Sequence, residues 1–191
     1  MDKYAVIGNP VAHSKSPQIH ALFAQATGQA MTYERLLAPL DGFEATVEAF
    51  AARGGQGLNV TVPFKLQAFA LAHTASDRAR AAGACNTLSR AGAGWYADNT
   101  DGAGIVHDLM QNLGVALAGR DVLVLGAGGA ARGILVPLFA QQPRSVTICN
   151  RTMTKAEALA ATFAARGPVR AASPSALAAT DFDVVINATS A

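Results

Sequence analysis

The sequence is poor in cysteine, aromatic residues, charge and unbroken apolar runs, and each shortage removes a class of protein. Its 191 residues include two cysteines, Cys85 and Cys149, far apart and outside any CxxC pattern. That argues against a disulfide framework or a zinc site, so no metal is expected, and it fits a reducing, cytoplasmic compartment. Charged residues make up 15% of the chain, against ~25% in ordinary soluble domains. With 51% hydrophobic residues, this excludes a disordered chain, a coiled coil and an acidic or basic tail protein. The formal net charge of +2 is too small for nucleic-acid binding by bulk charge. The apolar N-terminal run breaks at Gly8-Asn9-Pro10, too soon for a signal peptide. The most apolar stretch, Val122 to Ala140, carries Arg132, Pro137 and four glycines, and falls short of the ~20 clean residues of a membrane span. What remains is a globular chain long enough for one large domain or two small ones.

Helical and strand signals alternate almost throughout, which is the α/β signature. Tyr4 to Gly8 reads as a strand, and Ser16-Pro17 as a cap and first turn of a helix. That helix groups Ile19, Leu22, Phe23 and Ala26 on one face and stops at Gly28. Tyr33 to Ala38 and Leu58 to Thr61 read as strands, and Asp41 with Glu44 resembles a capping box. Pro63 starts another helix, and Ala84 to Ser89 with Gly94 to Ala97 reads as a hairpin. Asp101 to Leu113 is predicted as a helix with Ile105, Leu109 and Leu113 inward, and the domain boundary is expected within it. Beyond it, Val122 to Leu125 is wholly apolar, as in a strand buried on both faces of a parallel sheet. Ser145 to Cys149, a weak segment near Val169 and Asp183 to Ile186 are further strands, with a helix over Thr154 to Arg166. Pro137 inside the preceding helix is expected to kink it.

Gly126-Ala127-Gly128-Gly129-Ala130-Ala131 directly follows the apolar strand and fits G-x-G-x-x-G/A. In that pattern the first glycine makes the turn and the second admits a pyrophosphate. The small third residue lets helix and strand pack closely. The helix N-terminus then offers free N–H groups and a favourable dipole to the anion. An NAD site usually places a carboxylate at the end of the next strand. Here that strand ends in Asn150-Arg151-Thr152, with Lys155 one turn on. A guanidinium fork suits a ribose 2′-phosphate, so NADP is expected over NAD.

Four segments of the first half carry polar residues where a plain core would not want them. They are Ser14-Lys15-Ser16, Asn59 to Lys65, Asn86-Thr87 and Asn99-Thr100-Asp101-Gly102. Each alone has an ordinary explanation as a cap, a strand-face hydroxyl or a surface lysine. Jointly they suit a small polyhydroxylated ligand, which needs many directional hydrogen bonds.

These segments, together with Gly8-Asn9-Pro10, His13, Pro17, His20, the glycine loop, Asn150-Arg151-Thr152 and Asn187-Ala188-Thr189-Ser190, resemble the shikimate dehydrogenase family, in the family's order. The resemblance implies an N-terminal α/β substrate domain over residues 1–101. It implies a Rossmann-like, doubly wound NADP-binding domain over 102–191, incomplete at its C-terminus. The implied activity is reversible NADPH-dependent reduction of 3-dehydroshikimate to shikimate, in chorismate and aromatic amino acid biosynthesis. It makes Lys65 and Asp101 the catalytic pair. Ser14, Ser16, Asn59, Thr61 and Asn86 would hold the substrate together with that pair. Gly126 to Ala131, Asn150, Arg151, Thr152 and Lys155 would hold NADP, and Asp77 and Thr189 fall where the family approaches the cofactor. Ketone reduction independently calls for a cation and a proton donor beside the oxygen, which Lys65 supplies, and Asp101 can orient it. Whether the lysine alone or the pair carries the proton stays open.

The family continues past Asn187-Ala188-Thr189-Ser190 with further strands, a loop over the nicotinamide and a closing helix. A C-terminally truncated member is therefore expected, with weak or no hydride transfer and NADP binding partly kept. Asp183 to Asn187 should then be an edge strand. The partner is a small molecule, not nucleic acid or membrane, and the protein is expected as a monomer or homodimer. Two alternatives are a quinate/shikimate dehydrogenase using NAD and a non-catalytic nucleotide-binding protein of the same fold.

Overall fold

The computed structural model describes residues 1–177 and 180–189. The chain packs as two compact units, Met1–Asn99 and Thr100–Ala191.

The first unit is built on strands β1 (Asp2–Gly8), β2 (Met31–Leu37), β3 (Gly55–Val60), β4 (Thr74–Ala75), β5 (Thr87–Ala91) and β6 (Gly94–Asp98). They form one sheet in the order β2-β1-β3-β5-β6-β4. β1 runs parallel to β2 and β3, β5 is antiparallel to β3 and β6, and β4 lies parallel to β6. The helices are α1 (Ser16–Thr27), α2 (Phe43–Ala52), α3 (Lys65–Leu71) and α4 (Asp77–Ala82).

Alternation along the strands gives this sheet two unlike faces. Ala5 pairs with Leu58 and Ile7 with Val60, Leu58 with Leu88, and Leu88 with Ala97. These residues join Phe43, Val47, Phe50 and Phe64 in one buried core, where the Phe43 and Phe64 rings stack at 4.9 Å. The opposite face is polar: one row reads Arg35, Val6, Asn59, Thr87 and Asp98 across five strands. The next row reads Tyr33, Tyr4, Gly57, Ser89 and Tyr96. His20 of α1 stacks on Tyr33 of this polar face.

Several local expectations are corrected here. Helix α1 buries no residue: its apolar positions Ile19, Leu22 and Phe23 are exposed. An apolar stripe marks a face that can be buried, but whether it is buried depends on what packs there. Lys15, not Ser16, occupies the cap position of α1, and the Ser16 side chain makes other bonds. Asp41 forms no capping box, because the chain turns from Pro39 to Gly42 before α2 begins at Phe43. Thr61 to Phe64 is a turn, so α3 starts at Lys65, two residues after Pro63. Helix α4 was not foreseen, although Ser76 caps it by accepting from the Ala79 N–H at 3.1 Å and Gly83 closes it.

The second unit contains α5 (Asp101–His107), one turn of π-helix over Asp108–Asn112, β7 (Asp121–Leu125), α6 (Gly129–Phe139), β8 (Ser145–Cys149), α7 (Met153–Phe163), β9 (Val169–Ala172) and β10 (Val184–Asn187). Its strands are all parallel, in the order β10-β7-β8-β9. This is the 3-2-1-4 part of a doubly wound sheet, with the reversal of winding between β7 and β10. Among the described residues β10 pairs with β7 alone. Val122, Val124, Val146 and Ile148 share a buried core with Leu135, Leu138, Leu159 and Phe163. Of the predicted inward residues of α5 and its extension, Leu113 is exposed, and Val106 joins the core instead. The five-residue π turn rotates the chain out of α-helical register before Leu113.

Helix α6 continues through Pro137 to Phe139. Proline has no N–H for the carbonyl four residues back, here that of Gly133. Gly102 of α5 sits against this spot: a Cβ there would stand 2.5 Å from the Gly133 oxygen and 2.7 Å from Pro137 Cγ. Only a glycine allows α5 to seat on α6 next to Asp101. No helix among the described residues is long and apolar enough to cross a membrane.

Candidate active site

In the first unit the predicted substrate residues gather where β1 and β3 end. The loop after β1 is tied down by its own polar groups: Asn9 Nδ2 donates to the Ala38 oxygen at 2.9 Å and Asn9 N to the Val62 oxygen at 2.9 Å. Arg35, from β2, donates from Nε and Nη2 to the Ser14 oxygen at 2.9 and 2.6 Å. Ser14 Oγ donates to Ser16 Oγ at 3.1 Å and accepts from Ser16 N at 3.3 Å. Asn59, half-buried on β3, accepts at Oδ1 from the Tyr33 hydroxyl at 2.5 Å. Thr61 follows β3 and donates its N–H to the Ile7 oxygen at 3.0 Å.

Lys65 and Asn86 are brought to the same strand end through their backbones. Val60 N donates to the Asn86 oxygen at 2.7 Å and Cys85 N to the Lys65 oxygen at 2.9 Å. Lys65 is half-buried in the first turn of α3, and Thr87 Oγ1 donates to Asn86 Oδ1 at 3.0 Å. Asn86 itself lies just before β5, not within a strand. A cavity of about 360 Å³ opens on the polar face beside this cluster, lined by residues that include Tyr4, His20, Tyr33, Asn59, Thr87 and Ser89. Of the predicted substrate residues only Asn59 lines it, so the cavity adjoins the cluster without coinciding with it.

Arg78 and Asp98 brace the strand that leads toward Asp101. Arg78 Nε donates to Asp98 Oδ1 at 2.7 Å, its Nη2 reaches Oδ2, and Ser76 Oγ donates to Oδ1 at 2.6 Å. The guanidinium beside it draws the Asp98 carboxyl down to about 2, with burial opposing. Asn99 follows, buried, donating from Nδ2 to the Ala84 oxygen at 2.9 Å. Asp77 stands apart at the start of α4, with a side chain 99% exposed and paired to Arg80. Sequence reasoning missed Tyr33, Arg35, Arg78 and Asp98. Their long or charged side chains on half-buried strands and on a short helix were the available signal.

In the second unit Asp101 lies half-buried in the first turn of α5, after Thr100. The glycine loop joins β7 to α6 at the point where the strand order reverses. Gly126 has φ +105°, and a Cβ there would stand 2.8 Å from the Ala188 oxygen and 3.2 Å from Thr189 N. The loop and Thr189 are thus side by side, and Thr189 is held by Asn187 Oδ1, which accepts from its N–H at 3.0 Å and its hydroxyl at 2.7 Å. Ser190 lies outside the described residues. A Cβ at Gly128 would meet no protein atom within 4 Å, so space for an anion lies at the N-terminus of α6, an 11-residue helix. Ala131 is fully buried, as the third position of the pattern requires.

At the end of β8, Asn150 Nδ2 donates to the Thr152 oxygen at 3.0 Å. Thr152 caps α7 without using its side chain, and Arg151 and Lys155 are exposed with no ion-pair partner among the described residues. Cys149, beneath them, is buried, and burial pushes its thiol above the ordinary value. The donor set therefore fits a dinucleotide with an extra phosphate. Among the described residues no group of three His, Cys, Asp or Glu could hold a metal ion.

A family model described as "Shikimate dehydrogenase substrate binding domain" matches residues 6–88, and one described as "Shikimate / quinate 5-dehydrogenase" matches residues 108–191. The shikimate dehydrogenase (NADP(+)) of Aromatoleum aromaticum is 57% identical over 194 residues, covering 100% of this chain and 70% of that protein. The crystal structure of the Ael1 enzyme from Pseudomonas putida superposes with a TM-score of 0.88 at 47% identity, covering 100% of this chain and 70% of that one. Shikimate 5-dehydrogenase from Thermus thermophilus, solved in complex with NADP(H) and shikimate, gives 0.86 at 34% identity, covering 99% of this chain and 69% of that one. With both of its units matched and 57% identity to a relative along its whole length, the chain belongs to the shikimate dehydrogenase family.

Proposed function

We propose that this chain catalyses the reversible NADPH-dependent reduction of 3-dehydroshikimate to shikimate, the step that serves chorismate and aromatic amino acid biosynthesis. The carrying observation is the end-to-end identity with relatives named shikimate dehydrogenase (NADP(+)). Residues 1–101 bind substrate and residues 102–191 bind NADP. When bound, NADPH supplies the hydride taken up by the substrate's carbonyl carbon. Negative charge then develops on the carbonyl oxygen, and the Lys65 ammonium stabilises it and donates the proton that completes the hydroxyl. Asp101 orients that ammonium, and its carboxylate accepts a hydrogen bond from the hydroxyl once the proton has been delivered. Ser14, Ser16, Asn59, Thr61 and Asn86 hold the carboxylate and the remaining hydroxyls, and a ligand lacking one of those groups leaves a protein donor or acceptor unpaired.

Gly126 to Ala131 receive the pyrophosphate, with Thr189 beside the loop. Asn150, Arg151, Thr152 and Lys155 receive the ribose 2′-phosphate, and Asp77 is the most remote cofactor candidate. Support for NADP over NAD comes from Arg151 and Lys155, exposed and without ion-pair partners among the described residues, at the position where an NAD site carries a carboxylate. The proposal places the protein in the cytoplasm as a monomer or homodimer without nucleic-acid or membrane partners. Its mild charge speaks against nucleic acid, and its scarce cysteine fits a reducing compartment.

The test is turnover of Lys65→Ala and Asp101→Asn at saturating substrate and cofactor. Each should lose about 10²–10⁴-fold in kcat. Near-wild-type turnover in both would remove the catalytic pair. Titration with shikimate separates the enzyme from a nucleotide-binding protein of the same fold, which would ignore it.

A further inference from the structure

Three of the residues proposed to hold the substrate are linked through Tyr33 and His20, which carry no assigned role. Ser14 Oγ donates to Ser16 Oγ, the Ser16 carbonyl is held by His20, whose ring stacks on Tyr33, and Tyr33 donates to Asn59 Oδ1. Tyr33 belongs to β2 and Asn59 to β3, with β1 between them in the sheet. Both sit on the polar face, one row apart, and the strand between presents the short side chain of Val6 in the Asn59 row. The Tyr33 side chain is long enough to cross β1.

The ring is fixed from the other side by His20. The imidazole stacks on Tyr33 with centroids 4.1 Å apart and planes inclined by 15°. Its Nδ1 lies 2.9 Å from the Ser16 carbonyl oxygen. A carbonyl only accepts, so Nδ1 carries the proton. One histidine thus grips the Ser16 backbone and the Tyr33 ring. Burial raises the Tyr33 hydroxyl well above its ordinary ionisation range, so it remains a donor at any working pH.

The consequence falls on Asn59. An amide has one acceptor end and one donor end. With Oδ1 taken by Tyr33, the end left for a ligand is the Nδ2 donor, which makes no hydrogen bond among the described residues. We infer that Tyr33, clamped by His20, is a positioning residue that orients the Asn59 amide and couples it to the Ser14-Ser16 pair, so that a substrate hydroxyl meets a fixed donor. This rests on the proposed placement of Ser14, Ser16 and Asn59 around the substrate.

The experiment is a double-mutant cycle on shikimate affinity in the full chain, with Tyr33→Phe, Asn59→Ala and the pair, each also titrated with NADPH. Tyr33→Phe should weaken shikimate about tenfold, yet add less than about twofold in the Asn59→Ala background. NADPH affinity should stay within about twofold throughout, and where turnover is measured, KM for shikimate should rise with kcat little changed. A Tyr33→Phe protein that binds shikimate like wild type overturns the inference. So does a tenfold penalty that persists without Asn59, since Tyr33 would then act elsewhere. Should Tyr33→Phe fail to fold, the wild-type Asn59 side-chain amide protons decide by NMR: they should shift on adding shikimate and not on adding NADPH, and no shift overturns the inference. Wild-type protein that ignores shikimate removes the proposed function itself, a result distinct from a silent Tyr33→Phe.

Discussion

In the first unit the proposed substrate residues come from three separate segments, and the groups they offer are side chains. In the second unit the proposed cofactor loop is one contiguous run, Gly126 to Ala131, and the groups it offers are mostly backbone N–H. The first arrangement needs neighbouring side chains such as Arg35, Tyr33 and Arg78 to hold the binding groups in place. The second needs the absence of side chains, at Gly126 and Gly128. A hydroxyl or an amide can rotate, so its direction must be set by a partner. A peptide N–H at a helix start is directed by the helix itself.

If this contrast is right, the most damaging change in the second unit adds atoms. Gly126→Val puts a Cβ 2.8 Å from the Ala188 oxygen at a φ of +105°, and should cost about 1–3 kcal/mol in strain alone. NADPH affinity should fall at least about 100-fold. A titration showing near-normal NADPH binding would mean that the loop tolerates side chains and that the contrast is false.

Removing a side chain from the same unit should do less and act selectively. Arg151→Ala should weaken NADP about tenfold to 100-fold, the loss of one charge-assisted contact, while NAD affinity changes little. Equal losses for both cofactors would place Arg151 away from the 2′-phosphate.

The smallest effect concerns the brace in the first unit. Asp98 is held at about 2 by Arg78, below its unfolded value of ~3.9. Its contribution to stability is therefore whole above about pH 4 and is lost as pH falls through 2. Asp98→Asn should be less stable at neutral pH by about 1 kcal/mol, and urea midpoints of the two proteins should converge toward pH 2. A constant gap across that range would show that the charge of Asp98 is not what braces β6.

The second unit was the more legible. Its apolar strand, glycine pattern and basic strand end are consecutive, and the strand order of a doubly wound sheet appears among the described residues. The first unit was legible as alternating strands and helices, but its details were not. Asp41 and Glu44 matched a capping box that an earlier turn pre-empts, and Ser16 looked like a cap while its hydroxyl accepts from Ser14. The grouping of the apolar residues of α1 on one face was legible, but not whether that face is covered, and it is exposed.

Composition, periodicity and the order of the motifs were enough to determine an α/β chain, its glycine loop and the polar segments of the proposed site, because these depend on residues near one another in the chain. Tertiary structure alone decided that Tyr33 reaches across β1 to Asn59, that Arg35 grips the Ser14 carbonyl, and that Gly102 meets the proline-exposed oxygen of Gly133. These contacts join residues far apart in the chain. Which of them meet is set by strand register and helix packing, and no local pattern encodes either one.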